Sequence, residues 1–91
     1  MKILNLSNHK LTKKQIEELK ERLKFTEIVE LDKEDKKIWN QLTIENYKKE
    51  TKRIMEKYNV DSYHISGFAP AVVYAANEAD NNMKLFCIRL F

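Results

Sequence analysis

One glycine, one proline and one cysteine among 91 residues each exclude something. A single glycine, Gly67, cannot build a Walker loop or a GxGxxG fingerprint, which need several glycines where backbone must approach phosphate. A single cysteine, Cys87, has no partner for an internal disulfide; it sits in the apolar run Leu85-Phe86-Cys87-Ile88, where inert burial is expected. The two histidines, His9 and His64, come with no HExxH and no cysteine pair, so no bound metal or other cofactor is expected. No apolar run approaches the roughly 20 residues of a membrane span. The opening Met1-Lys2-Ile3-Leu4-Asn5-Leu6 is too short an apolar stretch for a signal peptide, and a cytoplasmic protein with no membrane association is the expectation.

What is present is ordinary for a globular domain: 43% hydrophobic and 34% charged residues, with no linker, repeat or low-complexity tract. One domain over residues 1–91 follows. A chain this short buries only roughly 60–65% of its unfolded surface, so a partner subunit would help. The net charge of +3 is unevenly placed: residues 1–24 carry seven basic against three acidic side chains, residues 25–61 eight against nine, and residues 62–91 two of each. The excess lies around the first strand, loop and helix, where an anion would be drawn, although Lys13, Lys14 and Lys20 read individually as a solvated face.

Residues 2–6 read as a short strand. Thr12-Lys13-Lys14-Gln15 fits a capping box that opens a helix, with Ile16, Leu19 and Leu23 on its apolar face and Lys20, Arg22 and Lys24 at its C-terminal end. A second strand lies within residues 25–31. Asp32 starts a charged helix to about Gln41 carrying Ile38 and Trp39; Thr43 looks like the next cap, with Ile44, Tyr47, Thr51, Ile54 and Tyr58 on one side of a helix that stops at Asn59. A strand over 60–66, a helix over 71–79 and a strand over 83–91 complete the order β-α-β-α-α-β-α-β. That order implies an α/β fold: a small, doubly wound, mainly parallel four-stranded sheet with helices on both faces and strand order 2-1-3-4. Helix 71–76 is apolar nearly all round and the last strand is apolar on both faces, so a symmetric homodimer is expected, the alternative being burial inside the monomer.

In such a sheet the first and third strands lie side by side, and the chain leaves them in opposite directions at the switch point. The loops there are Ser7-Asn8-His9-Lys10 and Ser66-Gly67-Phe68-Ala69-Pro70, each closing a strand and opening a helix whose N-terminus favours an anion. Gly67 permits close backbone approach, and Pro70 suits a first helical turn. His9 offers a proton to a leaving oxygen and Lys10 offers charge to a phosphate, the alternative for His9 being an exposed loop residue. His64, between Tyr63 and Ile65, reads as packing. Trp39, flanked by Lys36, Lys37 and Asn40, either stacks on a base or covers the core, and the second is the safer reading.

The stretch Leu6-Ser7-Asn8-His9-Lys10-Leu11-Thr12 resembles the opening of the small stand-alone CRISPR-associated proteins that accompany type III systems. Ile28-Val29-Glu30-Leu31 with Ile38-Trp39, Gly67-Phe68-Ala69 and Ile88-Arg89-Leu90 are similar to parts of other members. The resemblance implies a CARF-like (CRISPR-associated Rossmann fold) domain that binds cyclic oligoadenylate, cyclic tetra-adenylate above all, across a homodimer, and no duplex nucleic acid. Some relatives are ring nucleases that cut without metal, a ribose 2′-hydroxyl attacking the adjacent phosphate; others sequester the ring. Either activity would switch off an antiviral signal. On this resemblance Ser7, His9 and Lys10 match binding or catalytic positions, with His9 and Lys10 catalytic if the ring is cut, and Ser66 and Gly67 correspond to the second loop; Asn8, Phe68, Ala69 and Trp39 join the expected binding set from the reading of the two loops and of the tryptophan. Asn8, inserted between Ser7 and His9, departs from the commoner Ser-His pattern. The rival expectation is a small interaction domain with no nucleotide ligand, docking another protein through its apolar C-terminal half.

Overall fold

The sheet is built outward from β1 (Lys2–Leu6) in a computed structural model that describes residues 1–89. β1 pairs in parallel with β2 (Glu27–Glu30) on one side and β3 (Ser62–Ile65) on the other, and β4 (Leu85–Ile88) adds to β3, giving the all-parallel order β2-β1-β3-β4. This is a small Rossmann-like α/β fold, with the expected strand order. A chain that steps from β1 toward β2 and then back across β1 to β3 must place its crossovers on opposite faces if all are right-handed. Accordingly α1 (Lys13–Leu23) packs on one face against Ile3, Phe25 and Ile28, while α2 (Lys33–Asn40), α3 (Tyr47–Lys57) and α4 (Ala69–Asn81) share the other.

Local chemistry sets the first two helices. The Thr12 hydroxyl accepts from Gln15 N and the Gln15 side chain accepts from Thr12 N, a complete capping box. The helix stops where Lys24 turns left-handed at φ 48°. Asp32 caps α2 by accepting from Asp35 N at 2.8 Å. Thr43 departs from expectation. Its hydroxyl and backbone exchange hydrogen bonds with Asn46, so it closes a turn ahead of α3, and Ile44 points out at 66% exposure instead of lining the helix.

The larger core fills the three-helix face with Leu4, Leu6, Trp39, Ile54, Tyr63, Ile65 and the small residues Ala71, Ala75 and Ala79 of α4. Five residues of α4, Ala71, Val72, Ala75, Ala76 and Ala79, are buried inside the monomer, while Val73 stays 59% exposed. On the α1 face the helix packs near both Ile28 of β2 and Cys87 of β4, yet Leu85 at the start of β4 stays 53% exposed. The expected strand 83–91 is shorter in fact, Met83 being in a left-handed turn at φ 57°, and Leu90 and Phe91 lie outside the described residues. No helix among the described residues is long and apolar enough to cross a membrane.

Candidate functional site

Both switch-point loops are pinned to the sheet and to α2. Ser66 N donates to Leu6 O at 3.1 Å and Arg89 N to Ile65 O at 3.0 Å, so the parallel ladder continues past the strand ends and fixes where each loop starts. Two adjacent residues at the end of α2 then hold one lip each. The Trp39 indole donates to Ser66 O at 2.9 Å, and Asn40 Oδ1 accepts from Asn8 Nδ2 at 2.7 Å. Between the lips lies a cleft of about 360 Å³ lined by Asn8, His9, Ser66, Gly67 and Ala69, with Val72 and Val73 of α4 and then Ile88 and Arg89 completing the lining. Arg89 supplies its fixed positive charge.

The expected site residues divide in this geometry. Asn8, His9, Ser66, Gly67 and Ala69 meet at the cleft. Ser7 is buried, and its hydroxyl accepts from His9 N at 3.0 Å, which shapes the first lip from within. Lys10 is exposed on the loop, outside the cleft lining. Phe68 turns away to meet Tyr47 edge-on at 6.4 Å. Trp39 is 1% exposed, so the base-stacking role is corrected: the indole carries the second lip and has no open face for a ligand. The reason for Gly67 is corrected with it. Its φ is +145°, and a Cβ there would lie 2.8 Å from Trp39 Nε1, so glycine is required by the tryptophan beneath the loop.

A row of polar side chains crosses the α1 face at the same level. In register, Asn5 stands opposite both Glu30 and His64, and His64 opposite Cys87; side chains two apart share a face, which puts Arg89 on this side as well. Asn5 and His64 are 0% and 1% exposed. Asn5 Nδ2 donates to Glu30 Oε2 at 3.1 Å and to His9 O at 2.9 Å, and its Oδ1 lies 2.9 Å from His64 Nδ1. Arg89 Nε lies 3.4 Å from His64 Nε2, and its Nη2 is 3.7 Å from Glu18 of α1. Burial first, and the Arg89 charge second, hold His64 at a pKa of about 4, so it is neutral around pH 7. A second cleft of about 350 Å³, bounded by Glu18, Arg22, His64 and Cys87, opens on the other side of Arg89. Arg89 is therefore the divider between two clefts.

A family model described as the uncharacterized protein MJ1673 family matches residues 1–84. The chain belongs to that family. No curated protein and no solved structure matches the chain. The matched span includes both lips, Asn5, Glu30 and His64, and ends ahead of β4 and Arg89.

Arg89, Val72, Val73 and Ile88 were not among the expected site residues. One signal in the sequence pointed to Arg89: a lone cation inside the apolar ending 85–91. A cleft of about 400 Å³ at the other end of the molecule is a poorer candidate, because Glu56 and Glu78 interleave with Lys52 and Lys84 and leave no net charge to select a ligand.

Proposed function

We propose that this protein binds cyclic oligoadenylate, specifically cyclic tetra-adenylate, in the cleft between the two lips of a homodimer, and removes it by cleavage or by sequestration. The observation that carries the reading is Arg89: a guanidinium 29% exposed, lining a largely apolar cleft at the switch point of a Rossmann-like sheet. Amide and hydroxyl groups of Asn8 and Ser66 face the ribose and phosphate, and Val72, Val73 and Ile88 offer apolar contact to adenine. The identity of the ring comes from the resemblance of the loops to the type III CRISPR-associated proteins; the cleft supports an anionic ligand with apolar faces. Val73 and Ile88, 59% and 46% exposed at the cleft rim, are the surface that a second copy would cover.

If the ring is cut, the 2′-hydroxyl of one ribose loses its proton and attacks the neighbouring phosphorus; the bond to the 5′ oxygen breaks, and that oxygen takes a proton. The products end in a 2′,3′-cyclic phosphate and a 5′-hydroxyl. In this reading His9, which lines the cleft, delivers that proton, and Arg89 takes the charge-stabilising part expected of Lys10. On the resemblance to ring nucleases that cut without metal, turnover should persist in chelator. Incubation with radiolabelled cyclic tetra-adenylate, followed by native gel and product analysis, tests the proposal. A shifted ring, cut or intact, supports it. Absence of any shift at micromolar protein contradicts it and favours the protein-docking reading of Val73 and Ile88.

A further inference from the structure

We infer that His64 is a positioning residue for the anion site: a neutral imidazole protonated on Nδ1 that holds the Arg89 guanidinium at the cleft mouth. The inference deepens the reading of the cleft as an anion site and rests on it.

The hydrogen-bond directions follow from chemistry alone. The Glu30 carboxylate and the His9 carbonyl can only accept, so the Asn5 group facing both of them is its NH2. The Asn5 oxygen therefore faces His64, and His64 Nδ1 must carry the proton that this oxygen accepts. The neutral ring then has its lone pair on Nε2, directed at the Arg89 Nε–H 3.4 Å away. An acidic residue on β2 thus sets the orientation of a cation beyond β4 through two neutral side chains on β1 and β3 that lie side by side in register.

Arg89 has five N–H donors. His64 takes the Nε–H, and Nη2 faces the half-exposed Glu18 at ion-pair distance, which leaves the two Nη1 hydrogens and the second Nη2 hydrogen for a ligand. Fixing a guanidinium by its Nε–H leaves its two terminal nitrogens to present a fork, the geometry that receives a phosphate in bidentate fashion. A lysine held at this point would offer no such fork. The arrangement also requires that His64 stay uncharged, since an imidazolium would repel Arg89 and lose its acceptor.

Nitrogen-15 NMR of the intact protein at pH 7 tests this without any ligand. The expected result is a His64 ring protonated on Nδ1 with an unprotonated Nε2, and an Arg89 Nε–H signal that shifts when inorganic pyrophosphate is added. His64→Asn keeps a donor toward Asn5 and removes the acceptor toward Arg89, and should weaken pyrophosphate binding about tenfold. His64→Gln, whose amide oxygen can occupy the Nε2 place, should restore most of it, a rescue that a merely structural role does not predict. A ring protonated on Nε2, or a folded His64→Asn that binds pyrophosphate as the wild type does, overturns the inference. So does an Arg89→Ala variant with unchanged pyrophosphate affinity. If His64→Asn does not fold, the wild-type tautomer and the response of the Arg89 signal decide the matter. Should the wild type bind pyrophosphate at Arg89 and ignore cyclic tetra-adenylate, the ring assignment fails while the positioning role stands.

Discussion

On the three-helix face, the Asp35 carboxylate accepts from Arg53 at 2.8 Å, Lys57 at 2.8 Å and Tyr58 at 3.0 Å; on the α1 face, His64 and Arg89 meet at 3.4 Å and Arg89 faces Glu18 at 3.7 Å. Both clusters bury one ionisable group almost completely, Asp35 at 2% exposure and His64 at 1%. They solve that problem oppositely. Burial pushes the Asp35 carboxyl up, but hydrogen bonds from Lys57, Arg53 and Tyr58 outweigh it and hold the group at about 2, charged and saturated. His64 is kept uncharged, and the cation beside it retains donors. The saturated cluster ties α2 to α3. An unsaturated one at the edge of a cleft has capacity for a ligand.

Four substitutions or titrations sharpen this contrast, and the largest effect is expected where the second lip rests on Trp39. Gly67→Val forces a side chain into the indole at an unfavourable φ, and strain plus overpacking should cost about 4 kcal/mol in urea unfolding. Loss of ligand binding in that variant would report on folding, so it is unsuitable as a test of phosphate approach. Acid comes next. Because the folded-state pKa of His64, about 4, lies below its ordinary 6.5, the unfolded chain takes up the proton first, and stability falls as pH drops from 6.5 to 4. The loss approaches about 3 kcal/mol, and His64→Asn should flatten this limb of the stability profile.

Asp35 acts lower on the pH scale. Its contribution is complete above its unfolded value of 3.8 and disappears as pH falls from there toward 2. Asp35→Ala should cost about 2 kcal/mol near neutrality, below the figure for a fully buried pair, because Arg53 and Lys57 are 41% and 46% exposed and turn to water when released. Thermal melts of Asp35→Ala against the wild type would check this. Arg89→Ala is expected to change stability least, by under about 1 kcal/mol, since its contacts are long and its head is partly solvated. A loss as large as that of Asp35→Ala would erase the distinction between the clusters.

Legibility in the sequence followed the range of the chemistry. The caps at Thr12 and Asp32 were readable because the residues that make them lie within three positions. The order of strands and helices, with the handedness rule, was enough for the sheet topology and for placing the two lips together. Thr43 was misread for a local reason: the same hydroxyl serves a turn or a helix start, and Asn46 three residues on decided for the turn. The row Glu30, Asn5, His64 and Arg89 was not readable, because it exists only once four strands are in register, and a one-residue slip would send every second member to the other face. Trp39 looked ambiguous for a related reason, its indole partner being Ser66, 27 residues away.

The proposed function requires that Arg89, which lines the cleft, bind a phosphate of cyclic tetra-adenylate. The most direct measurement is a titration of that ring into wild-type and Arg89→Ala protein at matched melting temperatures. The wild type should bind and the variant should bind at least about tenfold more weakly, a difference of ~1.4 kcal/mol or more. Equal affinities in two folded proteins, or no binding by either, would contradict it.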